Sequence, residues 1–344
     1  MPNLKEPRSL LSWACELGKS HPFTDFHVHP FCVLSGDLDY RAVSSAEGLF
    51  SNSSSEYVSP TLEGKQLENS PQPQLPFRSE RALLLASKFI YGHTGPKVFR
   101  DQLDLAGISQ ALFLPVARTP DDASKMVEAA GRMFADDDQF HIGSPVPVGI
   151  PAEEIDGFLR ASYEAWHIKA IKLHPNLARM DPLAGDGRDI IEATLRSAGA
   201  LNLPVVVHGG RTPGLNPPET GEYGLLSRLA EIDWGISTSP VIIAHAGCYH
   251  LDDEDVPATL ALLEKLFDKH PNVMADVSAL DLPVLRAVLE SVDRTRLIFG
   301  SDALYFPVWK IWVNFLQALD AVCPRPEDDL IRIASVNPAR CLSA

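Results

Sequence analysis

Residues 203–210, LPVVVHGG, and residues 240–247, PVIIAHAG, set the pattern from which the fold follows. Each is a short apolar run, rich in β-branched residues, that stops at an imidazole followed by small residues. Apolar at consecutive positions and too short for a helix, such a run reads as a strand buried on both faces, the kind found in parallel sheets. Similar runs lie on either side: FTDFHV near the N-terminus, ALFLPV (111–116), HIGSPVPVGI (141–150), IKAIKLHP (168–175), NVMADVSA (272–279) and RLIFGSDA (296–303). With the first strand placed at 24–28 there are eight. The 141–150 run is the least strand-like, because it contains two prolines.

Amphipathic stretches at 96–105, 121–134, 152–165, 187–199, 219–231, 257–269 and 283–290 separate the runs, and two more follow at 307–320 and 327–342. Val256, Leu260, Leu263 and Phe267 show the spacing of three and four that puts apolar residues on one helical face. Strand–helix alternation returns the chain in the same direction each time and builds a parallel sheet. Eight units are the count of a closed TIM (β/α)8 barrel, expected here as one domain spanning 1–344. The alternative, an open doubly wound sheet, lacks the Gly-x-Gly-x-x-Gly that would follow its first strand.

Residues 35–79 distort this barrel. From Ser44 the chain runs SSAEGLFSNSSSEYVSPTLEGKQLENSPQPQLPFRS, too polar for a core, and helical pattern resumes only at Glu80 with RALLLASKFI. This polar insertion after strand one reads either as a surface loop or as a lid or subunit-contact arm over the barrel mouth.

Composition narrows the function. The 344 residues carry 30 Lys+Arg against 45 Asp+Glu, a net charge of −15, which repels phosphate backbones and anionic lipid faces. Neither nucleic acid nor a membrane surface is an expected partner, whereas a small substrate is compatible with any net charge. The mean hydropathy is near zero. Five widely spaced cysteines without a Cys-x-x-Cys fit a reduced compartment, and the first twenty residues lack a signal-peptide core. A cytoplasmic enzyme is expected, and homodimerisation is open on base rates alone.

Five of the strands end in a residue able to bind metal or move a proton: His27 and His29, His174, His208, His245, and Asp302. Those are the ends at which barrel active sites assemble. His27 and His29 are two apart and share a strand face, so both imidazoles can approach one ion. His208 closes a strand with little other reason to end in imidazole. A bare carboxylate at Asp302 would be costly to bury without a cation. Each of these could instead be a hydrogen-bonded core residue or, for Asp302, a helix cap; their coincidence on five strands argues otherwise. Three histidines and a carboxylate suit zinc, with manganese, iron and nickel also compatible. His245 is either a further ligand or the group that polarises a carbonyl and carries a proton. Lys172 shares a face with His174 and could serve a second metal if carboxylated. Arg211 and Arg118 are candidates to hold a substrate carboxylate. Asp276 reads as a residue that orients a ligand, and Tyr305 and His250 lie in mouth loops.

Taken together, DFHVHP, LDLAGISQALFLPV, AIKLHPN, LPVVVHGG, VIIAHAG, NVMADVS, RLIFGSD and the closing IASVNPARCL resemble the amidohydrolase-related (amidohydrolase 2) family of metal-dependent barrel hydrolases. The branch in question also includes aminocarboxymuconate-semialdehyde decarboxylase. The resemblance implies one divalent metal held by His27, His29, His208 and Asp302, with His245 as the polarising, proton-handling group and His174 as a strand-four signature near the substrate. It implies hydrolysis of an amide, lactone or ester by metal-activated water, with Asp302 as base, or alternatively non-oxidative decarboxylation of an unsaturated or aromatic acid. The long insertion departs from the simplest members of that family.

Overall fold

The computed structural model describes residues 7–29, 96–117, 120–134, 137–303 and 308–343. Its eight strands are β1 (Phe23–Val28), β2 (Ile108–Phe113), β3 (Phe140–Pro145), β4 (Ala170–Leu173), β5 (Val205–Val207), β6 (Val241–Ile243), β7 (Val273–Asp276) and β8 (Leu297–Ile298). They lie side by side in chain order, every pair parallel. The two end strands then meet. Phe26 N donates to Phe299 O at 3.0 Å, Asp302 N donates to His27 O at 2.8 Å, and Val28 bridges Ala303. The result is the eight-stranded parallel barrel that the strand–helix alternation predicts.

The outer ring contains α1 (Pro7–Gly18), α2 (Pro96–Ala106), α3 (Pro120–Met133), α4 (Ile155–Trp166), α5 (Gly185–Leu201), α6 (Val256–Lys269), α7 (Leu282–Ser291) and α8 (Val308–Val322). From Pro326 to Leu342 the chain stays helical through a π-helical segment at Arg332–Val336. Two elements differ from expectation. The sequence pattern places no helix before β1, yet α1 buries Leu10, Leu11 and Ala14 and packs on α2 and α8. The 219–231 stretch, expected as one helix, is a 3-10 turn at Pro218–Glu222 and a single helical turn at Leu226–Leu229. The buried Asn176 amide donates to the carbonyls of Gly221 and Gly210 and so takes the Gly221 acceptor away from helical bonding. A Cβ on Gly224 would come within 2.4 Å of Asn176 Oδ1, so this close approach requires glycine. The 35–79 insertion and the helical pattern from Glu80 lie outside the described residues.

In the mostly apolar strands, alternate positions serve two different cores. Ile171, Leu173, Val205, Val207, Val241, Ile243, Val273, Ala275 and Leu297 face the helices, whereas Ala170, Val206, Ile242, Met274 and Ile298 fill the barrel with Phe26, Leu112 and Leu114. The inward set continues, two residues at a time, toward the strand C-termini: Ala170 to Lys172 and His174, Val206 to His208, Met274 to Asp276, Ile298 to Gly300 and Asp302. The barrel interior is therefore apolar below and becomes ionisable at the mouth.

Around the closing seam, Trp312 of α8 packs against Phe299 at 4.5 Å and Phe23 at 5.5 Å between ring centroids. All three side chains are fully buried. This aromatic contact holds α8 to both strands of the seam that positions His27 and Asp302.

Candidate metal centre

His27 sits deepest. Its Nδ1 lies 2.8 Å from Asp276 Oδ2, and both side chains are fully buried. The remaining Asp276 oxygen accepts from the backbone N–H of His245 at 2.8 Å, from that of Ser278 at 3.0 Å and from the Ser278 hydroxyl. Burial works against ionisation of Asp276, but His27 and these other donors outweigh it and hold the carboxyl below the usual carboxylate range. His27 is the neutral member of the pair, its pKa pushed down to about 3 by burial and then by the Lys172 charge. One carboxylate thus fixes two histidines, His27 through its ring and His245 through its backbone.

The chain reaches this geometry in strained backbone. His245 (φ 57°), Ala246 (φ 48°) and Asp302 (φ 57°) are left-handed without being glycine, a conformation that costs about 1–3 kcal/mol each and collects at functional sites. The turn at the end of β6 brings His245 beside His27, with ring centroids 5.2 Å apart. Its Nδ1 lies 3.0 Å from Ser278 O and 2.9 Å from Ser278 Oγ, which leaves Nε2 for the interior. Gly300 lets β8 pass close to β1, since a Cβ there would sit 2.6 Å from His27 Cβ.

Asp302 completes the arrangement. Its Oδ1 is 3.0 Å from His29 Nε2 and 3.5 Å from His27 Nε2. His29 Nδ1 donates to Leu114 O at 2.7 Å, which turns its Nε2 toward the Asp302 oxygen. A proton or a metal ion held between that nitrogen and the carboxylate would satisfy both. Burial opposes ionisation of Asp302, and the His29 hydrogen bond and neighbouring imidazoles overcome it and hold the carboxyl below its ordinary range. Ligand atoms of His27, His245 and Asp302 all lie within 4.8 Å of one another, and all three residues are buried. Nδ1 atoms tied to oxygen partners, Nε2 atoms turned inward and a converging carboxylate fit a divalent metal ion.

The expected residues are distributed unevenly about this point. His29 joins the cluster through Asp302. His208 lies one ring further out, 5.1 Å from His245, and stacks on His174 at 4.0 Å and 11°. The structure thus groups His245 most tightly with His27 and Asp302, where the sequence reading placed His208. Burial lowers the pKa of both His174 and His208 well below the ordinary value, so the stacked pair is neutral. Lys172 reaches the cluster as well, with Nζ 2.8 Å from His27 Nε2. Arg211 is engaged elsewhere, with Asp252 at 3.0 Å and Asp255 at 3.2 Å. Arg118 and Tyr305 lie outside the described residues. Sequence reasoning passed over Ser278 and Tyr249, whose ring is 4.6 Å from His245 and 5.3 Å from His208. Ser278 could have been found from its spacing, two residues beyond Asp276.

The sequence model of one protein family, described as Amidohydrolase, matches residues 24–343. The chain belongs to the amidohydrolase family. Solved structures of similar shape agree with this membership. A 2,6-dihydroxybenzoate decarboxylase complexed with 2,6-dihydroxybenzoate has a TM-score of 0.55 and 11% identity, over 94% of this chain and all of that one. The 5-carboxyvanillate decarboxylase of Novosphingobium aromaticivorans, complexed with manganese and 4-hydroxy-3-methoxy-5-nitrobenzoic acid, has a TM-score of 0.54 and 10% identity, over 94% and 95% of the two chains. The 4-oxalomesaconate hydratase of Rhodopseudomonas palustris has a TM-score of 0.51 and 15% identity, over 93% and 95%. At such identities the likeness establishes the amidohydrolase barrel and no more. Comparison with curated protein sequences finds no match. Among the described residues of this amidohydrolase, no helix is long and apolar enough to cross a membrane.

Proposed function

We propose that this amidohydrolase-family chain is a metal-dependent decarboxylase of a small unsaturated or aromatic carboxylic acid. The observation that carries the reading is the buried convergence of His27, His245 and Asp302 at the barrel mouth. Support for decarboxylation over hydrolysis comes from the similar structures, which include decarboxylases for dihydroxybenzoate and carboxyvanillate. Two imidazoles and a carboxylate, with His29 and His208 adjacent, suit zinc or manganese, and the carboxyvanillate enzyme carries manganese. When bound, the ion supplies Lewis-acid polarisation of the substrate's oxygen atoms.

The protein's own residues account for the rest. Loss of carbon dioxide breaks a carbon–carbon bond and leaves its electron pair on the substrate carbon, which must then take a proton. Asp302 is assigned to deliver it. An anionic substrate beside Asp302 raises the proton affinity of its carboxyl, which loads the acid when it is needed. His245, fixed by Ser278 at Nδ1, keeps Nε2 turned to the interior, where it would help hold the ion against the substrate. His174 and His208 form a flat neutral wall on the far side, suited to a planar substrate. Asp276 keeps His27 and His245 in register throughout.

Hydrolysis, the first expectation from the sequence, is the second reading; the family description favours it. There Asp302 would take a proton from the attacking water. A panel of aromatic and unsaturated acids, lactones and cyclic amides, assayed with added zinc or manganese, separates the two. Release of carbon dioxide with a product shorter by that unit supports the proposal. Products containing the elements of water, with no carbon dioxide, would replace it by hydrolysis.

A further inference from the structure

Both nitrogens of His27 are committed. Nδ1 carries its proton toward Asp276, 2.8 Å away, so Nε2 holds the lone pair. That lone pair faces Lys172 Nζ at 2.8 Å. Lys172 is 2% exposed, on the inward face of β4, two residues before His174. A lone pair in the plane of an imidazole serves one partner at a time. The same Nε2 is among the atoms that converge on Asp302, so a metal ion ligated there needs the position that the lysine N–H occupies.

We propose that Lys172 is a positioning residue that competes with the metal ion for His27 Nε2. The ammonium and the ion exclude each other at this nitrogen, so the lysine sets how tightly the ion is held and swings aside when it binds. Electrostatics makes the exchange tolerable. Asp276 and Asp302 are buried carboxylates, and each is expensive to leave without a cation nearby. Lys172 supplies that charge from within the chain, on a flexible stem that can retreat. A protein population with His27 engaged by lysine is not competent to bind metal, and apparent affinity falls by the competent fraction.

This inference rests on the metal reading of the site, and the test separates the two. Protein stripped with a chelator is titrated calorimetrically with Mn2+ and with Zn2+, wild type beside Lys172→Met, which keeps length and removes charge and donor. The expected result is a Kd lower in the variant by about tenfold or more. A lysine that ligates the metal gives weaker binding in the variant, and a purely structural lysine gives no change; either result overturns the proposal while leaving the metal site intact. If neither protein binds either ion, the metal reading falls and takes this inference with it. If Lys172→Met does not fold, a crystal structure of the wild type with Mn2+ decides. Lys172 Nζ beyond hydrogen-bonding reach of His27 Nε2 supports displacement, and Nζ still in place or on the ion contradicts it.

Discussion

Asp276 Oδ2 receives His27 Nδ1 at 2.8 Å while the other oxygen of the same carboxylate receives the backbone N–H of His245 at 2.8 Å. A single side chain on β7 therefore sets two strand ends, β1 and β6, at a fixed separation. Replacing Asp276 by Asn keeps the shape but presents an N–H2 where an acceptor is required. The His27 tautomer and ring orientation are then no longer enforced. Metal affinity of Asp276→Asn should fall by about 10- to 100-fold. A calorimetric titration of stripped protein checks this, and an unchanged affinity would show that Asp276 does not orient the ligands.

Asp302 is proposed both as a ligand and as the proton carrier. Asp302→Ala should abolish measurable turnover, since the proton-transfer part alone is worth about 10²- to 10⁴-fold. Steady-state assay on a substrate found in the acid panel is the measurement. Full activity in this variant rejects the assignment.

Acid should destabilise the metal-stripped protein. His27, His174, His208 and His245 all have pKa values lowered first by burial, His27 to about 3. A histidine lowered in the folded state leaves the unfolded chain binding more protons as pH falls below about 6.5. Stability is then full above that value and declines below it, by at most about 1.4 kcal/mol per pH unit for each histidine. Asp25 acts in the opposite sense, because burial pushes its carboxyl up to about 7 and the folded state keeps its proton longer. It offsets one histidine of the four. Denaturant unfolding at pH 5 and pH 7.5 should show a clearly lower midpoint at pH 5, and equal midpoints would contradict the buried neutral imidazoles.

Trp312→Ala should destabilise the fold by about 3–5 kcal/mol, the usual cost of emptying a large buried aromatic site. Because Trp312 contacts both Phe23 and Phe299, the barrel seam should loosen with it. Urea unfolding gives the stability. A loss below about 0.5 kcal/mol, within the range of ordinary surface changes, would show that the seam does not depend on this contact.

Much of the fold was legible because one signal repeats. LPVVVHGG and PVIIAHAG announce buried parallel strands, and the β-branched runs around them fall at strands in every case. Leu10, Leu11 and Ala14 were not read as a helix because so short a stretch, flanked by Pro7 and Gly18, shows its amphipathic face only once α2 and α8 provide the opposite surface. The break at 219–231 depended on Asn176, forty-five residues earlier in the chain than Gly221; periodicity carries no information about such a partner. In the site, strand-end placement singles out His27, His29, His245 and Asp302, and the barrel brings these four side chains together at its mouth. That placement could not rank His208 against His245, because a left-handed turn at His245 and Ala246 swings that imidazole inward, and φ is not written in the local pattern. The ion pairs of Arg211 are illegible for a related reason: its acidic partners Asp252 and Asp255 are about forty residues away in the chain, and only the fold brings them near.

His27, His245 and Asp302 are proposed to hold a catalytic divalent ion. Metal analysis of protein expressed with zinc, manganese and iron supplied, wild type beside a His27→Ala, Asp302→Ala double variant, tests it most directly. About one divalent ion per chain is expected in the wild type and close to none in the folded variant. Wild-type protein that is metal-free and shows no affinity for any of the three ions would contradict it.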